Sequence, residues 1–130
     1  MDPDGLSGSS IDAEEGTAVR MVPCARLDDL LGATVVDVIK IDVERVEPEV
    51  VRGAEALIRA TPTLDIVTEF WPAHPSYGGG TPAEVLDYYE SLGLELRLLS
   101  RDGNTKPATP AEVLARGEGD PIMYIVLRNA

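Results

Sequence analysis

The run Val35-Val36-Asp37-Val38-Ile39-Lys40-Ile41-Asp42 constrains this chain more than any other stretch: it is mostly β-branched and apolar, and it ends in an acid. It is too short for a buried helix and has the composition of a strand covered on both faces in a parallel sheet. The next twenty residues fix the class. Pro48 suits the first turn of a helix, where its missing N–H costs nothing. Val46, Val50, Ala54, Leu57 and Ile58 continue at helical spacing, and Pro62 ends the element. Gly53 inside this helix is unfavourable by about 1 kcal/mol relative to alanine, which close packing against the sheet would explain.

The alternation of elements continues along the chain. Leu64 to Phe70 reads as a second strand, and a loop from Trp71 to Gly80 comes after it. Thr81-Pro82-Ala83-Glu84 is a capping box with proline at the first helical position. Val85, Leu86, Tyr89 and Leu92 give that helix an apolar face, and Gly93 ends it. Leu94 to Leu98 alternates strictly, as a half-exposed strand does. Arg101-Asp102-Gly103-Asn104 is turn chemistry. Thr109 to Leu114 repeats residues 81–86 letter for letter, the same helix start used twice. Ile122 to Leu127 is a last apolar strand. Ahead of all this, Thr17 to Val22 reads as a short strand stopped by Pro23, and Leu27 to Leu31 as one or two helical turns closed by Gly32. Residues 1–16, rich in Gly, Ser, Asp and Glu, read as a flexible leader, and residues 17–130 as a single α/β domain. Helix-linked strands predict a mostly parallel sheet with helical crossovers and a final strand that returns antiparallel.

Charge narrows the partners. Eleven Lys and Arg against twenty-three Asp and Glu give a net charge of −12, a field that repels nucleic acid and anionic lipid. Apolar residues make up 44%, yet no run is long enough for a membrane helix, and the acidic start Met1-Asp2-Pro3-Asp4 is unlike a signal peptide. A cytoplasmic location is expected. Cys24 is the single cysteine, which excludes an internal disulfide, and it reads as a small packing residue.

In open α/β sheets ligands sit beyond the carboxyl ends of the strands. The first strand there offers Lys40, Asp42 and Glu44, which alternation puts on one side if the strand stays extended; the second offers Glu69. Adjacent strands lie ~4.8 Å apart, so Asp42 and Glu69 can face one crevice, where carboxylates bind a hard cation, act as a general base or hold hydroxyls. Glu47, next to Pro48, reads first as the negative residue that favours a helix N-terminus. His74 in the long loop is a candidate base or a solvated loop residue. Trp71 and Tyr77 either stack on a ligand or cover the sheet end. Gly78-Gly79-Gly80 lies between a strand and a helix, but a ten-residue loop with two prolines is no tight nucleotide turn, and it reads as a flexible substrate loop or linker.

Ile39-Lys40-Ile41-Asp42-Val43-Glu44, with Glu47-Pro48-Glu49-Val50-Val51-Arg52-Gly53-Ala54 after it, closely resembles the signature of the FkbM family of S-adenosylmethionine-dependent methyltransferases. Val22-Pro23 with Leu27-Asp28-Asp29-Leu30-Leu31 resembles the segment upstream of that signature, and Ile66-Val67-Thr68-Glu69-Phe70 its next strand. The resemblance implies a Rossmann-like class I methyltransferase fold with one strand inserted antiparallel, and methyl transfer to a hydroxyl oxygen of a sugar or small metabolite. It implies S-adenosylmethionine as cofactor, with Lys40 and Asp42 near it and Asp42, Glu44, Glu69 and His74 as the catalytic candidates. Two departures stand out. Arg45 occupies the place of the signature's glycine, and the glycine-rich turn that mainly holds the cofactor belongs to the half of the fold preceding residue 17.

The chain is therefore expected to be the C-terminal half of such an enzyme, with a non-catalytic interaction module as the alternative and a metal-dependent hydrolase as a third reading. The expected partner is a small-molecule hydroxyl acceptor. The unpaired Val35–Asp42 edge is expected to meet a second copy of the chain or a separate N-terminal half.

Overall fold

The computed structural model describes residues 22–120 and 122–129; the expected leader and most of the strand expected at Thr17–Val22 lie outside them. Leu27–Leu31 forms α1, closed as expected by Gly32 at φ +52. The first strand, β1, is Val38–Ile41, and two short helices come next, α2 (Glu47–Arg52) and α3 (Glu55–Ala60). Then come β2 (Asp65–Phe70), α4 (Pro82–Ser91), β3 (Leu94–Leu99), β4 (Thr105–Pro107), α5 (Pro110–Arg116) and β5 (Met123–Asn129).

The five strands form one sheet in the order β1-β2-β5-β3-β4. Only β1 and β2 pair parallel; β2–β5, β5–β3 and β3–β4 are antiparallel. The expectation of a mostly parallel sheet is thus corrected. The cause is one insertion and one hairpin. β2 and β3 run in the same direction, as helix-linked strands should, but β5 enters between them and replaces one parallel contact with two antiparallel ones. The turn at Ser100–Asn104, closed by Ser100 N–H on the Asn104 carbonyl (2.9 Å), then folds β4 back onto β3.

Alternation sorts the strands into two faces. Ile66 and Phe70 of β2, Ile125 and Leu127 of β5, and Leu96 of β3 bury their side chains with Val51, Ile58, Leu86, Tyr89 and Val113 from the helices. The opposite face carries Lys40, Asp65, Glu69, Arg97, Tyr124 and Arg128, half-buried or exposed. Asp65 accepts both Nε (2.8 Å) and Nη2 (2.8 Å) of Arg128, a bidentate pair across the β2–β5 ladder. The identical hexapeptides at 81–86 and 109–114 both close capping boxes, Thr81 with Glu84 and Thr109 with Glu112.

Two further expectations change. The first strand is shorter than expected and is not buried on both faces: Val35, 82% exposed, lies ahead of it, and Val38, 59% exposed, shares the polar face with Asp65. The long helix expected from Pro48 to Pro62 breaks at Gly53-Ala54 into α2 and α3. Close packing does not explain Gly53. A Cβ there would meet the Val50 carbonyl oxygen at 3.4 Å and the Arg26 Cα at 3.6 Å, ordinary contacts, and the neighbour is the start of α1 and not the sheet. A glycine that is tight at a helix end is Gly117, which closes α5: a Cβ there would lie 2.2 Å from Cγ of Pro72.

Opposite outcomes are expected for alanine at these two sites. Gly117→Ala, at an unremarkable φ of −63, should destabilise by about 1–3 kcal/mol through overpacking against a rigid proline ring. Gly53→Ala, at φ −72, should stabilise by about 0.4–1 kcal/mol through the unfolded chain. Urea unfolding of both variants checks the pair, and equal signs would contradict the packing described.

Candidate functional site

β1 and β2 end side by side, with Ile41 opposite Thr68, and β5 runs back past them so that Tyr124 stands opposite Glu69. Strand parity puts Lys40, Glu69 and Tyr124 on the polar face at this end. Lys40 Nζ donates to Asp42 Oδ2 (2.8 Å), and the Tyr124 hydroxyl donates to the same oxygen (2.9 Å). The Lys40 ammonium lies 5.7 Å from the centre of the Tyr124 ring, where it gains a cation–π contact. The hydrogen bond from Lys40, then that from Tyr124, holds the Asp42 carboxyl below the usual aspartate range. Asp42 in turn raises the pKa of both partners.

Glu69 is pushed the other way. Burial raises its pKa above the usual glutamate value, opposed by the Trp71 indole N–H that donates to its Oε2 (2.9 Å), and the charges of Asp42, Glu47 and Glu44 add to the rise. Asp42 and Glu69 therefore share one electrostatic environment, as expected for a common crevice, but they hold their protons with opposite tendencies.

The turn after β1 departs from the extended geometry that would have put Glu44 beside Asp42. The strand ends at Ile41, and Glu44 (φ +56) and Arg45 (φ +76) are both left-handed. The turn is tied down by Glu47, whose Oε1 accepts the Val43 N–H (3.2 Å), and Arg45 Nη1 lies 3.4 Å from His74 Nε2. His74 also accepts the Ser76 N–H on Nδ1 (3.2 Å) and stands edge-on to Trp71 with ring centres 6.3 Å apart. His74 thus contacts Arg45 and Trp71, and only Trp71, through its indole on Glu69, connects it to the Asp42–Glu69 pair.

The loop from Trp71 to Gly80 is packed, contrary to the expectation of a flexible substrate loop. Tyr77 is fully buried, edge-on to Phe70 at 5.4 Å, and its hydroxyl lies 3.0 Å from both Glu47 Oε2 and the Glu69 carbonyl oxygen. Tyr77 and Gly80 bond to each other across Gly78 and Gly79, both at positive φ, which makes a tight two-residue turn. A Cβ at Gly78 would strike Pro48 Cγ at 2.4 Å, and one at Gly80 would meet Glu84 Oε2 at 2.9 Å. Packing thus explains Gly78 and Gly80, whereas a Cβ at Gly79 would meet nothing within 4 Å, and the run lines a small pocket of 230 Å³ with Arg52, Glu84 and Val85.

Sequence reasoning missed two participants. Tyr124 becomes visible only once β5 is threaded beside β2. Glu47, expected as the negative residue of a helix N-terminus, does stand in the first turn of α2, but it is fully buried and its carboxylate bonds Val43 and Tyr77. Cys24 is exposed, not a packing residue, and lines a groove of 560 Å³ with Leu27, Val43, Val46 and Val50. Among the described residues no group of three or more His, Cys, Asp or Glu is placed to hold a metal ion, and no helix is long and apolar enough to cross a membrane.

A family model described as the methyltransferase FkbM domain matches residues 1–96. No curated protein and no solved structure matches the chain.

Two measurements check this geometry. Because burial raises the Glu69 pKa, ionised Glu69 opposes folding at neutral pH. Glu69→Gln should therefore raise the urea midpoint at pH 7, and the gain should vanish below the ordinary glutamate value of 4.5. A gain that persists at pH 4 would contradict the assignment. Arg45→Gly should stabilise by about 0.5–1 kcal/mol, the left-handed strain of about 1–2 kcal/mol less the chain-entropy cost of glycine. A loss of stability would show that the Arg45–His74 contact outweighs the strain.

Proposed function

The chain belongs to the FkbM methyltransferase family, and from that premise we propose that its strand-end crevice is the acceptor site of a methyltransferase acting on a hydroxyl oxygen of a sugar or small metabolite. The observation that supports this reading most is the opposite tuning of two neighbouring carboxylates. Asp42, pinned by Lys40 and Tyr124, stays ionised; Glu69, desolvated, has the higher proton affinity. Such a pair suits a base beside a fixed anchor. Glu69 takes the acceptor hydroxyl's proton as its oxygen becomes the nucleophile, through Oε1, since Oε2 holds the Trp71 indole. Asp42 accepts a hydrogen bond from a neighbouring hydroxyl and orients the ring or chain that bears it. Glu44, Arg45 and His74 border the same side.

Family membership implies S-adenosylmethionine as the source of an electrophilic methyl group. In this reading Lys40 and Asp42 lie at the edge of the cofactor, whose main cradle belongs to another part of the fold; Pro48 crowds Gly78 and Glu84 crowds Gly80, which leaves the glycine run little room to replace it. In this reading the described sheet is the acceptor-side part of the fold, and the open edge of β1 takes the neighbouring strand of the cofactor-binding part. A second reading, a non-catalytic module derived from the same fold, is favoured by one observation: an arginine at φ +76 where the family signature has glycine.

Incubation of the chain, together with a complementing N-terminal half that supplies the cofactor-binding part, with methyl-labelled S-adenosylmethionine and a panel of sugars and hydroxylated metabolites tests both. Label should move to oxygen. Glu69→Gln should lose about 10²-fold or more of that rate, and Asp42→Asn should abolish transfer with little change in thermal midpoint, because its side chain is exposed and an amide oxygen keeps both donors. No transfer by the native chain, with transfer appearing in Arg45→Gly, would favour the second reading; no transfer by either would end the first.

A further inference from the structure

The most deeply buried charged side chain in the described structure, Glu47, lies outside the candidate crevice and touches none of its carboxylates. Its two oxygens have separate tasks. Oε1 accepts the Val43 N–H (3.2 Å), in the turn that carries Asp42, Glu44 and Arg45. Oε2 accepts the hydroxyl of Tyr77 (3.0 Å), in the loop that carries Trp71 and His74. The same hydroxyl lies 3.0 Å from the backbone carbonyl of Glu69. A tyrosine has one proton to give, and the charged acceptor takes the stronger bond. Beside this pair Pro48 fills the space under Gly78, so that the start of α2 meets the loop at two adjacent points. An apolar residue at 47 would pack the core without an unpaired charge to satisfy; what it could not do is bond both segments.

We propose that Glu47 is a positioning residue for the acceptor site, its buried carboxylate fastening the Asp42–Arg45 turn to the Trp71–Gly80 loop through Tyr77. This rests on the reading of the crevice as an acceptor site only for its catalytic consequence; the fastening itself stands on geometry. Without it the left-handed turn at Glu44–Arg45 loses its anchor at Val43, and the loop keeps only the longer contacts of Arg52 with the Gly78 carbonyl (3.4 Å) and of Arg45 with His74 (3.4 Å), so that Trp71 and His74 are less firmly placed beside the crevice. Tyr89, whose buried hydroxyl has no partner, adjoins the pair, and its pKa is raised by burial and then by the charge of Glu47.

Trp71 makes the proposal measurable, because it is the single tryptophan of the chain and sits in the fastened loop with its indole on Glu69. Acrylamide quenching and emission wavelength of Trp71 are compared for the native chain, Glu47→Ala, Glu47→Gln and Tyr77→Phe, at a temperature where circular dichroism shows each folded. Glu47→Ala and Tyr77→Phe should give a red-shifted, more quenchable Trp71. Glu47→Gln should restore native values, since its amide oxygen accepts the Val43 N–H and its amide N–H donates to the Tyr77 oxygen, which turns its proton to the Glu69 carbonyl. A merely structural role predicts lower melting points in all three with Trp71 unchanged in the folded state, and that result overturns the proposal. Should Glu47→Ala fail to fold, Tyr77→Phe decides alone, because it keeps the ring on Phe70 and removes only the hydroxyl. In the transfer assay the same pattern is expected in kcat, with KM less affected. Loss of the Trp71 pattern refutes the fastening, whereas absent transfer with the pattern intact refutes the acceptor-site reading.

Discussion

Strand parity is the constraint on which the rest of this molecule depends. Each strand sends alternate side chains to opposite faces, and the ladders keep those faces in step from β1 through β5. Ile66, Leu127 and Leu96 line up across three strands on the helix-covered side. The same registration leaves Glu69 and Tyr124 adjacent on the other side, with Lys40 one strand and one step away. A slip of one residue in β5 would bury Tyr124 and Arg128 and turn Ile125 and Leu127 outward. The bidentate Asp65–Arg128 pair and the Tyr124–Asp42 bond act with the apolar face to exclude that register.

The polar end of the sheet is a set of graded environments. Asp42, exposed and met by two donors, favours its charge; Glu69, more deeply placed and met by one, resists it; Glu47, fully enclosed, is satisfied by a backbone amide and a phenol. Asp42 and Glu69 thus differ through solvent, hydrogen-bond supply and the charges around them. That gradation is what allows a strand-end cluster to contain both a fixed anion and a group with proton affinity.

Much of this is legible in the sequence wherever local chemistry decides the outcome. The two helix starts at Thr81 and Thr109 form the same capping box because the four residues that make it are contiguous. The strands β2, β3 and β5 come from their own composition, and strand ends alone place Asp42 and Glu69 together. What stays hidden depends on partners far along the chain. Gly53 breaks a helix whose apolar spacing runs through it, and α1 bonds back to it through Asp28 N–H on the Gly53 carbonyl (2.9 Å). β4 is too short, at three residues, to announce itself beside a turn. No residue within β5 records its neighbours, so its antiparallel insertion follows only from the family resemblance, and the hairpin that pairs β4 with β3 is not expected at all. Tyr77 gives no sign of being core until Phe70 and Glu47 close around it.

The insertion of β5 also imposes an order of assembly. β2 and β3 have no ladder between them until Met123–Asn129 arrives to bridge both. As the chain leaves the ribosome, β1 with β2 and β3 with β4 can each pair early, but as two separate ribbons with their apolar faces uncovered. The event that joins them is the capture of a strand synthesised after all the other helices and strands of the sheet, so cooperativity arrives late and all at once. A nascent chain stalled before residue 123 would present two unpaired strand edges to the chaperone machinery and to other copies of itself. Its hazard during synthesis is set by the position of one strand in the sheet order, independently of how stable the finished domain becomes.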